Sequence, residues 1–443
     1  MDWGKLPDIA AVTLLTAAFA SVARRGHAPF SALWQIGWVM IVLHFVAFFF
    51  LPAPGIWGTF AAIMGLSALT WAGILFMWAA VPYRHRWSSR LMLIALFTSN
   101  TAYIAVSSIV PAGNWLLTPA AILFGALPLA ITLWNVRQFN HLLRWSLVAL
   151  YCALSVFLLM VQDRPNGPDL ALNAILFTVY LGCCIHFWYV YRRSTAGAFI
   201  TIAGFVAWAN VFVIAPSIGS FFPNLHLESE VWNLPKYVVA VGMILLLLED
   251  QIEHNKYLAL HDELTGLPNR RLFQDRLASA LERARRTESQ AALLLLDLDQ
   301  FKQVNDSVGH HAGDELLRHV SRLFKGRVRR ADTVARTGGD EFSVILEEPT
   351  SRADAMRVAG ILTQLLETPF EFEGHSVRVG ASIGIAVFPD DASTPESLCI
   401  AADVRMYAGK HESRGRTARK LPHRVQPDPL PKANPQAGVQ LAE

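Results

Sequence analysis

Charged side chains are scarce in the first half of this sequence. Of its 38 Lys/Arg and 35 Asp/Glu, only 12 and 7 fall within residues 1–249, which leaves 26 and 28 for the remaining 194. That is too little charge for an ordinary soluble surface over residues 1–249. Cysteine is also sparse. The four present are Cys152, Cys183, Cys184 and Cys399. None has zinc-like spacing, and a vicinal Cys183–Cys184 bridge is rare, so all four read as reduced, small hydrophobes. The formal net charge of +3 is too small for a nucleic-acid footprint, so no nucleic-acid partner is expected.

What is present instead is a series of long apolar runs, at 6–23, 32–52, 56–82, 91–111, 115–135, 142–162, 170–191, 196–219 and 233–249. A hydrocarbon core about 30 Å thick needs roughly 20 helical residues, and most of these runs reach that length. The first and last are the shortest. Residues 1–249 therefore read as an all-α transmembrane bundle of about 8–9 helices in a lipid bilayer.

With the loops numbered in chain order, the odd ones hold Arg24, Arg25, Arg84, Arg86, Arg90, Arg137, Arg144, Arg192 and Arg193. The even side holds Arg164, with Lys5 and Lys236 flanking the outer ends of the first and last spans. This asymmetry places the odd loops and the C-terminal half in the cytoplasm. Ala18-Phe19-Ala20 also resembles a signal-peptidase site, and cleavage there would turn the C-terminal half outward. The start MDWGKLPD is not net positive, which argues against a signal peptide. If the first segment does not insert, eight spans starting inside keep the same orientation.

His44 and His186 lie inside apolar runs, at estimated depths of about 18 Å and about 7 Å from the inner face. That mismatch disfavours a shared haem and favours histidines hydrogen-bonded within the bundle. The outer loops are short, so a signal would enter through the bundle.

Residues 250–261 continue the last span without Pro or Gly. Leu245, Leu248, Ile252, Asn255 and Ala259 follow a rough 3-4 spacing, which fits either a short two-helix coil or a plain solvated linker. From residue 262 the pattern alternates. Helices are expected to about Arg286 and over 312–328, 351–367 and 395–411. Strands are expected at AALLLLDLD, on both sides of the Gly-Gly turn in DTVARTGGDEFSVIL, and once or twice in HSVRVGASIGIAVFP. The order βαββαβ with flanking helices predicts an α+β sandwich of ferredoxin-like or nucleotidyl-cyclase palm type.

This topology can bring Asp297 and Asp299, at the end of a central strand, to Asp340 and Glu341 in a hairpin turn. Hard oxygen ligands meeting there suit Mg²⁺, which takes one or two carboxylates plus water and phosphate. Gly338 and Gly339 let the backbone bend and a phosphate come close. Lys302, and Lys410 with Arg414 on one helical face, are placed to meet phosphate. Taken alone, the turn is equally an acidic hairpin, and Asp297-Leu298-Asp299 equally a strand end with a helix cap.

Five segments occur in order: DELTGLPNRR (262–271), LDLDQFKQVNDSVGHHAGDELL (296–317), VARTGGDEF (334–342), ASIGIAVFPDD (381–391) and ADVRMYAGK (402–410). Together they make residues 259–416 resemble the GGDEF-domain diguanylate cyclases. The resemblance implies condensation of two GTP into cyclic di-GMP and two pyrophosphates, with Mg²⁺ or Mn²⁺, by two domains facing each other in a homodimer. It implies metal ligation by Asp297, Asp340 and Glu341 with the Leu298 carbonyl, and help from Asp340 or Glu341 in deprotonating the 3′-hydroxyl. It further implies triphosphate binding by Lys302, Lys410 and Arg414 beside Gly338 and Gly339, and guanine reading by Asn305 and Asp314.

Arg329 and Asp332 match the family's RxxD site, where product cyclic di-GMP binds and inhibits; outside that context RxxD reads as a surface ion pair. Thr337, Arg405 and Gly409 depart from common family residues. No EAL- or HD-type hydrolase motif follows, and the Pro-rich stretch 417–443 reads as disordered. The implied whole is a bacterial inner-membrane enzyme with a membrane sensor (1–249), a helical connector (250–261) and a cytoplasmic GGDEF domain (262–416). A non-catalytic cyclic di-GMP receptor is the alternative. A transporter finds no support in an inverted repeat or an intramembrane acid.

Overall fold

The structure, a computed structural model, describes residues 1–25, 31–79, 87–134, 141–191, 195–221, 229–348 and 351–419. The chain divides into two compact units, Met1–Asn255 and Lys256–Glu443, and the division falls within the expected connector. The expectation of disorder at 417–443 lies almost wholly outside the described residues.

The described part of the first unit is helical: α1 (Leu6–Arg25), α2 (Ser31–Phe49), α3 (Ile56–Ala79), α4 (Trp87–Ile109), α5 (Leu117–Trp134), α6 (His141–Val161), α7 (Gly167–Val190), α8 (Ala196–Phe221) and α9 (Ser229–Leu260). Among the described residues eight helices are long and apolar enough to cross a membrane, and the shorter one is Leu117–Leu133. The expectation that the first and last runs are the short ones is thereby corrected. Asp2 caps a turn that lengthens the first helix at its start, and α9 carries its helix well past the apolar run at both ends.

Close packing of α3 on α7 rests on small and hydrogen-bonding side chains. A Cβ on Gly73 would collide with Val179, the Tyr180 hydroxyl donates to Leu69 O at 2.9 Å, and Cys183 Sγ reaches Gly73 O at 3.3 Å. Large apolar side chains such as Leu14, Phe60, Leu91 and Phe199 face outward. Trp34, Trp38 and Trp208 are fully buried.

His44 Nδ1 donates to Gly65 O and His186 Nδ1 to Gly182 O, both at 2.9 Å. This is the bundle-bonded reading of the two histidines. All four cysteines are free thiols. Lys236, expected to flank the outer end of the last span, stands near the start of α9. It is buried within α9, donates to Asn233 Oδ1 at 2.5 Å and lies over the Phe45 ring. Of the basic residues used for orientation, Arg84, Arg86, Arg137, Arg192 and Arg193 lie outside the described residues.

The second unit contains α10 (Arg270–Arg286), β1 (Ala291–Asp299), α11 (Phe301–Val308), α12 (His310–Lys325), β2 (Thr333–Arg336), β3 (Glu341–Glu347), α13 (Arg352–Leu366), β4 (Phe370–Phe372), β5 (His375–Val377), β6 (Gly380–Phe388) and α14 (Pro395–Arg419). The main sheet runs β2-β3-β1-β6 with every pair antiparallel, and β4 and β5 form a separate hairpin. Apart from that hairpin and α11, this is the expected βαββαβ order.

The run of leucines in β1 is continuous because both its faces are covered. Leu294, Leu296 and Leu298 enter the core with α12 and α13, whereas Leu293 packs with Phe273, Leu277 and Leu281 of α10 and with Leu398 of α14. Asn269 starts α10 by accepting hydrogen bonds from the Arg271 and Leu272 amides. A helix not foreseen, α11, precedes α12. The two are separated at Gly309, whose φ of +102° only glycine adopts readily.

Candidate active site

Asp297 stands one residue pair from the end of β1, directly opposite Glu341 of β3. The β2–β3 turn is fastened to the same strand, since the Leu298 amide donates to Asp340 O at 3.1 Å. At this sheet end a cavity of about 560 Å³ is lined by Asp297, Leu298 and Asp340 from the strands, Lys302 from α11 and Lys410 from α14. Lys410 Nζ lies 2.6 Å from Asp297 Oδ1. Asp299 borders the same cavity, and its Oδ1 accepts from Ser382 Oγ at 2.8 Å. Arg414 is on α14 one turn past Lys410, and its side chain is outside the described residues.

The expected gathering of four acids is only partly realised: Asp297, Asp299 and Asp340 border one cavity, and Glu341 does not. Glu341 folds its carboxylate over Gly338, where a Cβ would collide with it. It lines a different cavity, of about 590 Å³, together with Thr337, Ser343, Arg270 and Asp403. Antiparallel pairing brings Asp297 and Glu341 level on the sheet, but the Glu341 carboxylate lies against Gly338 instead. Gly339 has the opposite character. Its φ is not in the left-handed region and a Cβ there would meet nothing within 4 Å. The chain itself does not demand this glycine; an approaching ligand would.

Two residues that the sequence pattern did not single out hold the turn in place. Arg336 donates from Nε and Nη2 to Gly339 O at 3.1 and 2.7 Å, and from Nη1 to both oxygens of Asp262 at 2.9 and 3.1 Å. Burial alone would raise the Asp262 carboxyl, but hydrogen bonds from Thr265 and Arg336 outweigh it and hold the group below its ordinary value. The only sequence signal was their place inside two quoted segments, which says nothing of contact across 74 residues.

Arg405 is the third case. The departure from alanine is a clamp: its guanidinium meets both oxygens of Asp391 at 2.7 Å and the Ile385 carbonyl at 2.6 Å. It fixes α14, five residues before Lys410, to β6. Arg405 first, then Arg352, holds the Asp391 carboxyl well below the usual carboxylate range.

Asn305 and Asp314 stand on α11 and α12, on either side of the Gly309 break, and neither borders the β1 cavity. The α11 and α12 helices approach so closely that a Cβ on Gly313 would collide with Asn305 Oδ1, and Asp314 follows on the next position. Arg329 and Asp332 share a turn, yet their side chains do not pair. Asp332 Oδ2 accepts from the Arg329 amide at 2.9 Å and Oδ1 from the Glu347 amide at 3.1 Å. Arg329 itself is exposed. Burial raises the Asp332 carboxyl, against the two amide hydrogen bonds.

Among the described residues no group of three or more His, Cys, Asp or Glu is close enough to hold a metal ion. The donor set nevertheless fits a hard divalent ion of the Mg²⁺ kind. Such an ion needs only one or two carboxylates, with water and phosphate completing its shell, rather than an all-protein cage. Asp297, the Leu298 carbonyl and Asp340 border one cavity. A cation, the Lys410 ammonium, already sits on Asp297.

The family described as "Diguanylate cyclase, GGDEF domain" matches residues 259–416. The bifunctional diguanylate cyclase/cyclic di-GMP phosphodiesterase MucR of Pseudomonas aeruginosa is 42% identical over 192 residues, covering 40% of this chain and 28% of MucR. Diguanylate cyclase TpbB of the same species is 41% identical over 169 residues, covering 38% of this chain and 39% of TpbB. The chain thus spans less than two-fifths of these relatives' length.

Among solved structures, the isolated GGDEF domain of TpbB is 42% identical, covering 34% of this chain and 89% of that one, with a TM-score of 0.34. A sensory box/GGDEF family protein from Caulobacter crescentus is 40% identical, covering 34% of this chain and 99% of that one, also with a TM-score of 0.34. Residues 259–416 of this chain are a GGDEF domain.

Proposed function

We propose that this chain is a diguanylate cyclase of the bacterial inner membrane, condensing two GTP into cyclic di-GMP and two pyrophosphates. In this reading residues 1–249 are the membrane sensor, 250–261 the signalling connector and 262–416 the catalytic domain on the cytoplasmic side. The observation that carries it is the single cavity at the end of β1, where Asp297, Leu298, Asp340, Lys302 and Lys410 converge beside an unobstructed Gly339.

Lys302, Lys410 and Arg414 hold the triphosphate, and Gly338 and Gly339 let it lie against the turn. Asn305 and Asp314 match the donor and acceptor edge of guanine. Asp297, Asp340 and the Leu298 carbonyl, with Glu341 turned inward, hold Mg²⁺ or Mn²⁺; when bound, the ion polarises the α-phosphate and stabilises the leaving pyrophosphate. Asp340 or Glu341 takes the proton from the attacking 3′-hydroxyl. One domain holds one GTP, so the condensation needs a second copy facing it. Regulation enters from the bundle, and product returns to Arg329 and Asp332. The receptor alternative rests on those two residues alone, and it leaves the lysines and acids of the β1 cavity without a task.

The test is the full chain in phosphatidylcholine nanodiscs with GTP and Mg²⁺. Cyclic di-GMP should accumulate, and Asp340→Asn should lower turnover on the order of 10²-fold or more while leaving the fold intact. A folded, dimeric wild-type chain that makes no product would favour the receptor.

A further inference from the structure

Helix α9 starts in the first unit and ends in the second. Two of its final carbonyls, left without partners inside the helix, are taken by one residue. Asn269 donates from its amide to Leu260 O at 2.9 Å and from Nδ2 to Ala259 O at 2.8 Å. Its Oδ1 meanwhile caps α10. A cap needs only that oxygen, which Ser, Thr or Asp would supply as well. The reach back to α9 is what the amide nitrogen of Asn adds.

Between Leu260 and Asn269 the chain closes on itself. The Asp262 amide donates to Leu267 O and the Gly266 amide to Asp262 O, both at 2.8 Å. Thr265 donates from its amide and its hydroxyl to Asp262 Oδ1 at 2.9 and 2.6 Å. Residues 262–269 are therefore a stiff piece and not a slack loop.

That piece holds Arg336 at two points. The Arg336 amide donates to Pro268 O at 2.9 Å, and Nη1 donates to the Asp262 carboxylate. The rest of the guanidinium holds Gly339 O, next to the cavity-lining Asp340. From the last turn of α9 to the β2–β3 turn, the path runs through short hydrogen-bonded steps in one compact unit.

We infer that the end of α9 positions the β2–β3 turn, and that Asn269 is the positioning residue that joins the two. The inference rests on the cyclase reading of the β1 cavity and adds the route by which the last helix of the bundle acts on it. A path of contacts becomes a coupling only when its members prove non-additive, so the test is built on that.

The full chain in phosphatidylcholine nanodiscs is assayed with GTP and Mg²⁺. Asn269→Asp and Asn269→Ser keep a capping oxygen and lose the amide donor. Each should lower kcat about three- to tenfold with KM little changed, the effect of losing one hydrogen bond. In an Arg336→Ala chain the same changes should lower kcat no further. Ser351→Ala removes the cap of α13, outside this path, and should leave kcat per folded molecule unaltered. Deuterium exchange without GTP reads the linkage directly, and both Asn269 variants should speed uptake over 336–340 several-fold.

Wild-type kcat in both Asn269 variants would reduce Asn269 to a helix cap and overturn the inference. Full additivity with Arg336→Ala, or unaltered exchange over 336–340, would overturn it as well. Faster exchange in the variants of a chain that makes no cyclic di-GMP as wild type would keep the linkage and remove the cyclase.

Discussion

Replacing Arg336 with alanine removes four hydrogen bonds at once, two to Asp262 and two to Gly339 O. Both charged side chains are mostly covered, at 13% and 24% exposure. An exposed ion pair contributes up to about 1 kcal/mol, and breaking a fully buried one costs about 3–5 kcal/mol. The intermediate setting here gives a loss of about 2 kcal/mol. For a unit of this size that lowers Tm by roughly 4–8 °C.

The functional effect should exceed what stability alone explains, because the lost partner positions the signature turn. A misplacement of about 1 Å at a reacting centre costs on the order of 10²-fold. Turnover per folded molecule should therefore fall between about ten- and a hundredfold at saturating GTP. Arg336→Lys should recover only part of both effects, since a single ammonium cannot reproduce the planar fork that meets Asp262 and Gly339 together. Thermal melts and steady-state cyclic di-GMP formation on the same preparations check this. If Arg336→Ala melts lower but turns over normally per folded molecule, the turn holds its own shape and the reasoning fails.

Lys410→Met should weaken GTP binding and, in nucleotide-free protein, tighten Mn²⁺ binding several-fold, because Asp297 loses the ammonium that now occupies Oδ1; calorimetry with Mn²⁺ alone checks it, and unchanged Mn²⁺ affinity refutes it. Arg329→Ala should relieve product inhibition with little change in Tm, whereas Asp332→Ala should relieve it and also destabilise by about 1–3 kcal/mol, since two backbone amides lose their acceptor. Melting at stepped pH should show acid sensitivity. Asp262 and Asp391 are held below their unfolded value of about 4, so their stabilisation is complete above that pH and is lost progressively below it. Asp332, held above its unfolded value, acts in the opposite sense, costing stability as pH rises through its folded value. Asp391→Asn should flatten the acid limb, and an unaltered limb would assign it elsewhere.

The elements legible from the sequence are those whose pattern is local. Apolar runs of about 20 residues announce the bundle helices, and the doubly buried strand β1 shows as uninterrupted AALLLL. The ends were less legible, because helix ends depend on caps and neighbours. The first and last spans extend past their apolar runs through polar residues that hydropathy cannot count. The burial of Lys236 was not legible for a related reason: a lysine beside an apolar run carries no sign of the partners, here Asn233 and the Phe45 ring, that hold it inside. Helix α11 was missed because FKQVNDSV buries only Val304, too little periodicity to stand out.

The site divides along the same line. The positions of Asp297, Asp340, Lys302 and Lys410 followed from strand ends and spacing, that of Leu298 from the family resemblance, and all five border one cavity. The direction of a carboxylate at an exposed turn does not follow from spacing, and Glu341 accordingly lies over Gly338. Nor does spacing tell which opposite charges hold each other before a ligand arrives. Lys410 and Asp297 were assigned to different partners, triphosphate and metal, and are found bonded to one another. The two assignments are compatible if the pair is a resting arrangement. Each group waits on the other's charge, the half-buried site carries no uncompensated ion, and the arrival of a metal–nucleotide pair gives each its own counter-charge in a single exchange.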